Sequence, residues 1–433
     1  MGAPKDGLIG IWMTSALVVG TMIGSGIFML PVSLAPLGAN APVGWVLSSI
    51  GALCIAFSLA RLSQLGGDGI QANVERELGK TVAFFVAWSF WVSNWSAQAA
   101  VAIAGASALS WISPSYAGPG FVIPLALGSV VFFTIVNAFG ARASGAAAIV
   151  TVAIKLLPLA GVILIFALRG LGSRPYEPLA PAPLNLANLA TATALAFFAL
   201  TGFENATTPV GKVRDPARTI PRALIGGTLF VALIYLLVST GVQLVLPAEI
   251  VAQSPAPIAD VIAGQWGGGL AVFVALAIAV AAFGCLNGLI LGTGELGYAL
   301  GLRRDLPAMM AWTWRGNTPV GAQIVGSVLA VLLILANSNR AGAALFTFII
   351  LLSTASVLVV YLAGALSAWR LSTTLPARSV VVVALLFILF AFYGIGREAL
   401  LWGLALLAIG FVVRLIMHRL GSAPPAAATA SVE

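Results

Sequence analysis

Long apolar runs recur along the whole chain. Twelve segments, roughly 8–35, 42–65, 81–111, 120–139, 143–169, 188–210, 222–246, 265–300, 319–337, 341–370, 378–395 and 398–417, approach or exceed the roughly 20 mostly apolar residues that a helix needs to cross a bilayer. Only 8% of the residues are charged and 60% are hydrophobic, with a mean hydropathy of +1.07, whereas soluble proteins carry about 25% charged residues. Too little polar surface remains to cover a water-soluble fold, so the bilayer is the solvent. The runs are also too long and too continuous for barrel strands of about ten alternating residues. An all-α polytopic membrane bundle is expected, and soluble enzymes, nucleic-acid binders and disordered chains are excluded.

The net charge of +8 fits this reading. Of the 21 Lys and Arg residues, twelve spans put sixteen, from Lys5 and Arg61 to Arg414 and Arg419, on one side. Arg169, Arg174, Arg340 and Arg397 fall on the other, and Lys155 lies inside a span. That bias predicts both termini in the cytoplasm and a multi-pass protein of the cell inner membrane. The two cysteines, Cys54 and Cys285, have neither disulfide nor metal spacing, and the one histidine, His418, stands in the tail. Metal sites, cofactors and Ser-His-Asp chemistry are therefore not expected. The loops 66–80 and 211–222 are read as charged loops on the basic side, and the Ala/Pro/Ser-rich stretch 421–433 as a disordered tail.

Two of the apolar runs are interrupted. Span one reads Gly20-Thr21-Met22-Ile23-Gly24-Ser25-Gly26-Ile27-Phe28 before Pro31; span six reads Phe198-Ala199-Leu200-Thr201-Gly202-Phe203-Glu204-Asn205 before Pro209. Gly-Ser-Gly within an apolar helix gives up helix propensity at adjacent positions. A membrane helix that opens there must have its freed N–H and C=O groups occupied. The N-terminal end of a half-helix starting near Gly24 suits a carboxylate, and freed carbonyls suit an ammonium. Breaks five spans apart are the signature of an inverted five-plus-five repeat with its site at the membrane midplane. The competing reading is that the small residues only let helices pack closely.

At these residues the chain resembles the amino acid–polyamine–organocation permeases, and within them the bacterial basic amino acid/polyamine antiporters of arginine/agmatine type. GTMIGSGIFMLP in span one, GFENATTPVGKVRDPARTIPRA across span six, GCLNGL in span eight and TPVGAQIV before span nine carry the likeness, which extends from Leu8 to about Arg419. The resemblance implies twelve transmembrane helices in a leucine-transporter-like fold with broken helices 1 and 6. One transmembrane domain would cover 1–417, with repeats at about 8–169 and 188–370 and two further helices at about 378–417. It also implies alternating access and no covalent chemistry, hence no enzyme. The substrate carboxylate would meet Ser25 and the Gly26 amide, close to Ile23 and Gly24. Its ammonium would meet carbonyls near Met22, Phe198 and Thr201. Asn94 would supply a side-chain contact with Ser89 and Phe90 nearby, and Ser353 is a further match. Phe198 occupies the place of a gating indole, and Gly292 that of a second indole which stacks on a guanidinium. Losing such cation–π partners removes about 2 kcal/mol when desolvated.

Charged residues inside the spans refine the expectation. Lys155 is about 18 Å of helix from the cytoplasmic end, too far to snorkel. It resembles the lysine that stands at a sodium position of sodium-coupled relatives, which implies sodium independence and favours neutral substrates. Glu204 resembles a glutamate that gates by protonation, with a cap for the broken backbone as the bland alternative. Glu295 is read as half of a structural pair, and Trp88, Trp91 and Trp95 as packing, with Trp91 the one candidate for the cavity. The expected function is a permease for neutral amino acids working by exchange or proton coupling. The alternative is a basic amino acid/polyamine antiporter, and a channel is the alternative from another class. The expected partners are an amino acid, the bilayer and, as an option, a second copy in a homodimer; nucleic acid is not among them.

Overall fold

The computed structural model describes residues 10–420 except 25, 66–68, 117, 141–144, 173–174, 205–212, 315–317 and 341. Among the described residues the chain forms sixteen α-helices and no β-strand. In chain order they are α1 (Ile11–Met22), α2 (Gly26–Leu34), α3 (Asn40–Ser63), α4 (Gly69–Leu78), α5 (Lys80–Ser110), α6 (Pro119–Ala138), α7 (Gly145–Leu171) and α8 (Leu186–Leu200). They continue as α9 (Pro216–Val245), α10 (Ala248–Gln253), α11 (Pro257–Trp266), α12 (Gly268–Leu302), α13 (Val320–Ala336), α14 (Gly342–Leu371), α15 (Leu375–Gly394) and α16 (Gly396–Leu420).

Eight of these are long and apolar enough to cross a membrane: α3, α6, α7, α9, α12, α14, α15 and α16. The pair α1 and α2, bent by 43° at its break, brings the number to nine. Each of the other three expected segments also holds a helix. α5 has 31 residues but is diluted by Ser, Asn and Gln, while α8 and α13 are apolar but shorter. The protein is thus an all-helical, multi-pass membrane protein.

Two expectations about loops are corrected. Residues 69–78 are helical, because Ile70, Asn73 and Val74, spaced i, i+3, i+4, turn one buried face to the bundle. Within 211–222, α9 already begins at Pro216, whose fixed φ suits a first helical turn. The tail 421–433 lies outside the described residues.

In lipid the apolar effect does not pull helices together, so small residues must let backbones approach. At Gly44 on α3 an added Cβ would sit 2.8 Å from the Ala192 backbone of α8. Ser48 Oγ donates across the same contact to Thr193 O at 2.7 Å. α3 also packs on α9, α1 lies along α9, and α5 runs between α12 and α14. Trp88, Trp91 and Trp95 stack along α5 with centroids 5.4 and 6.4 Å apart. They pack with Leu300, Met310 and Ala322. Glu295 is exposed on α12, on the same helical stripe as Leu291 and Leu302. The structural partner expected for it is not found among the described residues, because that stripe faces away from the bundle.

Candidate substrate site

The two chain breaks lie against each other. α1 ends at Met22, where the chain turns through Ile23 and Gly24 before α2 starts at Gly26. α8 ends at Leu200, and Gly202 takes φ +110°. That φ belongs to glycine, and the space allows nothing larger: a Cβ there would lie 2.8 Å from the Thr21 carbonyl oxygen. Thr21 Oγ1 lies 3.0 Å from Gly202 O, and 2.8 and 2.9 Å from Leu17 O and Val18 O in its own helix, so its one proton is shared between α1 and the other break. Gly24 and Gly26 serve close approach as well. An added Cβ at Gly24 would sit 3.1 Å from Cys285 Sγ, and one at Gly26 would sit 3.1 Å from Ala199 Cβ. The packing reading of these glycines and the open-backbone reading therefore both have a physical basis here.

Between the breaks lies a cavity of about 90 Å³. Its wall comes from Thr21, Met22, Gly24 and Gly26 of the first break and from Phe198, Ala199, Thr201, Gly202 and Glu204 of the second. α5 adds Phe90, Ser93, Asn94, Ala97 and Val101, α12 adds Cys285 and Leu289, and α14 adds Ser353 and Val357.

Glu204 is the one carboxylate on this wall among the described residues and is only 4% exposed. Its Oε2 accepts the Tyr361 hydroxyl at 2.6 Å and the Gly202 N–H at 2.9 Å. It therefore caps the broken backbone and lines the cavity at the same time. Other freed groups are also occupied from within. Met22 O accepts the Tyr235 hydroxyl at 2.9 Å and the Gly24 N–H at 2.8 Å. Phe198 O accepts the Thr201 hydroxyl at 2.7 Å and its N–H at 3.2 Å. Ser353 Oγ joins α14 to α5, at 3.0 Å from both Ser93 Oγ and Ser93 O. Lys155 is 6% exposed, and its Nζ donates to Gly20 O at 3.3 Å in the last turn of α1.

Of the residues expected at the site, Met22, Gly24, Gly26, Phe90, Asn94, Phe198, Thr201, Ser353 and Glu204 come together on the wall. Ser25 lies outside the described residues. Ile23 is buried in the core, Ser89 is buried one turn before Ser93, and Lys155 stands behind α1; none of the three lines the cavity. Gly292 is next to the wall, since a Cβ on it would lie 3.9 Å from Asn94 Oδ1. Trp91 is turned away, with its indole nitrogen 3.0 Å from the Cβ position of Gly297. Sequence reasoning missed Ser93, Ala97 and Val101, although with Phe90 and Asn94 they follow the i, i+3, i+4, i+7, i+11 spacing of one helix face. It also missed Cys285 and Leu289, four residues apart on α12, and Val357, four residues after the expected Ser353.

Residues 9–413 match the family model described as amino acid permease. The chain belongs to the amino acid permease family. Among its relatives, this permease is 24% identical over 423 residues to the putrescine transporter PotE of Haemophilus influenzae, covering 94% of this chain and 97% of that one. It is 29% identical over 297 residues to the cadaverine/lysine antiporter of Escherichia coli, covering 65% and 63%. An uncharacterized transporter of Mycobacterium bovis is 30% identical over 431 residues, covering 95% and 92%. The permease thus sits among amino acid and polyamine permeases and antiporters, a family of transporters. The family resemblance read from the broken spans agrees with this.

Proposed function

We propose that this permease is an antiporter of the inner membrane that exchanges a basic amino acid for a diamine by alternating access. The observation that carries the reading is Glu204: among the described residues it is the one carboxylate on the cavity wall, buried in a site whose other described lining groups are neutral. Its Oε2 already accepts from Tyr361 and Gly202, and the carboxyl group borders the cavity, where its negative charge would attract an entering ammonium. Two relatives, a putrescine transporter and a cadaverine/lysine antiporter, support the same substrate class. They weigh against the preference for neutral amino acids expected from sequence. That neutral reading stays as the second one, because Phe198 and Gly292 offer no indole for a guanidinium and Lys155 places a cation behind α1.

The architecture that goes with this function is twelve spans in an inverted repeat of leucine-transporter type, with both termini inside. The helix contacts support it. Exchange α1–α2 with α8, α3 with α9, α5 with α12, α6 with α13 and α7 with α14. The pairing α1–α9 then becomes α8–α3, α5–α6 becomes α12–α13, α5–α14 becomes α12–α7, and α3–α14 becomes α9–α7; all eight contacts occur.

Counterflow tests the substrate class. Proteoliposomes preloaded in turn with lysine, arginine, putrescine, cadaverine, leucine or alanine are diluted into trace labelled solute. Exchange accelerated by the cationic preloads is the expected result. Fastest exchange with leucine or alanine would install the neutral reading instead, and uptake indifferent to every preload would reject antiport.

A further inference from the structure

A second cavity, of about 390 Å³, opens between α3, α9 and α15, away from the substrate site. Its lining changes character in the same direction along all three helices. On α3 it runs from Phe57 and Ala60 to Arg61 and Gln64 at the helix end; on α9 from Ile225 to Pro221 near the helix start; on α15 from Val380 back through Ala377 and Pro376 to Thr374. The membrane-ward half is thus apolar, and the half at the helix ends is polar and cationic. The Arg61 guanidinium lies 5.7 Å above the Phe57 ring. Its Nε is shielded from solvent without a hydrogen-bond partner among the described residues. Arg61 itself lines the groove, so the charge of its guanidinium acts on whatever is seated there. Thr374 precedes the first turn of α15 and makes no side-chain cap, so the α15 N-terminus faces the same end of the groove. A helix N-terminus and a guanidinium together suit an anion. Arg222 is exposed beside Pro221 and adds positive charge there.

We propose that this groove binds an anionic phospholipid, with the phosphate headgroup on Arg61 and the α15 N-terminus and an acyl chain against Phe57, Ile225 and Val380. The order of polar end and apolar wall selects a lipid over a free anion, because an inorganic phosphate would use only one half of it. Basic pockets between helices on the positive side of a membrane protein recognise anionic headgroups in this way.

The full-length permease in detergent, titrated by native mass spectrometry with phosphatidylglycerol or with phosphatidylcholine of the same chains, tests the proposal. The anionic lipid should bind about fivefold or more tightly, the share one arginine contributes near an anionic headgroup. Arg61→Gln should bring it down to the affinity of the zwitterionic lipid. Ile225→Trp, which fills the apolar half and leaves the guanidinium untouched, should weaken both lipids. In a parallel thermal-unfolding arm, millimolar inorganic phosphate should not reproduce the stabilisation given by phosphatidylglycerol. Equal binding of the two lipids, a preference that survives Arg61→Gln, or full stabilisation by phosphate alone would each overturn the proposal. Should Arg61→Gln not fold, Ile225→Trp carries the test, and unchanged phosphatidylglycerol binding in it is the contrary result.

Discussion

Gly202→Ala is the smallest change that tests how the two breaks are held together. At φ +110°, alanine occupies a region essentially reserved for glycine, at a cost of about 1–3 kcal/mol. Its Cβ would also lie 2.8 Å from the Thr21 carbonyl oxygen and 3.1 Å from its carbon. These are backbone atoms of the other break and cannot rotate out of the way. Relief would require the breaks to part, which also gives up the share of the Thr21 hydroxyl directed at Gly202 O, worth up to about 1 kcal/mol. The sum is about 1–4 kcal/mol, or a factor of about 5 to 1000 in the population of the native arrangement. Gly226→Ala is the control: it sits inside α9 with nothing within 4 Å of its Cβ position and should be neutral or gain up to about 1 kcal/mol. Thermal unfolding in detergent and uptake into proteoliposomes would be measured for both. Gly202→Ala should lower the unfolding temperature and largely abolish uptake, while Gly226→Ala does neither. If the two variants behave alike in both assays, the breaks are not coupled as described.

Three further outcomes follow from the cavity wall and from the lysine behind it. Glu204→Gln should weaken cationic substrates by about 10- to 100-fold, the range for a charged hydrogen bond, and flatten the pH profile of exchange; an unchanged lysine affinity in a folded variant would remove the carboxylate from recognition. Gly26→Ala should impair uptake because its Cβ falls 3.1 Å from Ala199 Cβ, and Ala199→Gly should restore it; a folded double variant without rescue would mean that the glycine is needed for bare backbone instead. Replacing sodium by choline at fixed pH should leave exchange unchanged, given the Lys155 ammonium 3.3 Å from Gly20 O; collapse of uptake would contradict that reading.

The positions of the spanning helices were legible because lipid demands long apolar runs, and each of the twelve runs holds a helix. α4 escaped notice since its apolar face is only Ile70 and Val74 within a charged stretch. The breaks were legible from Gly24, Gly26 and Gly202, whose loss of helix propensity shows in one dimension. What those glycines touch does not: that Gly24 meets Cys285 and Gly26 meets Ala199 depends on packing between segments far apart in sequence. The same limit hid Tyr361 and Tyr235. Each is a buried hydroxyl in an apolar run, and only the fold brings one to Glu204 and the other to Met22 O. Glu295 looked like half of a buried pair because a carboxylate inside a span usually has a partner; its direction on α12 could not be read from composition.

In the proposed antiporter the transported solute sits in the cavity between the breaks, and Cys285 offers a direct probe of its presence there. It lines that cavity, and the one other cysteine, Cys54, lies on α3 outside it. In a Cys54→Ser background, the rate at which a small methanethiosulfonate labels Cys285 would be followed in proteoliposomes with and without saturating lysine or putrescine. A solute which drives exchange should slow labelling in proportion to its occupancy, and Glu204→Gln should remove the protection by cations. Labelling at the same rate with and without a solute that is demonstrably exchanged would place the transported molecule elsewhere.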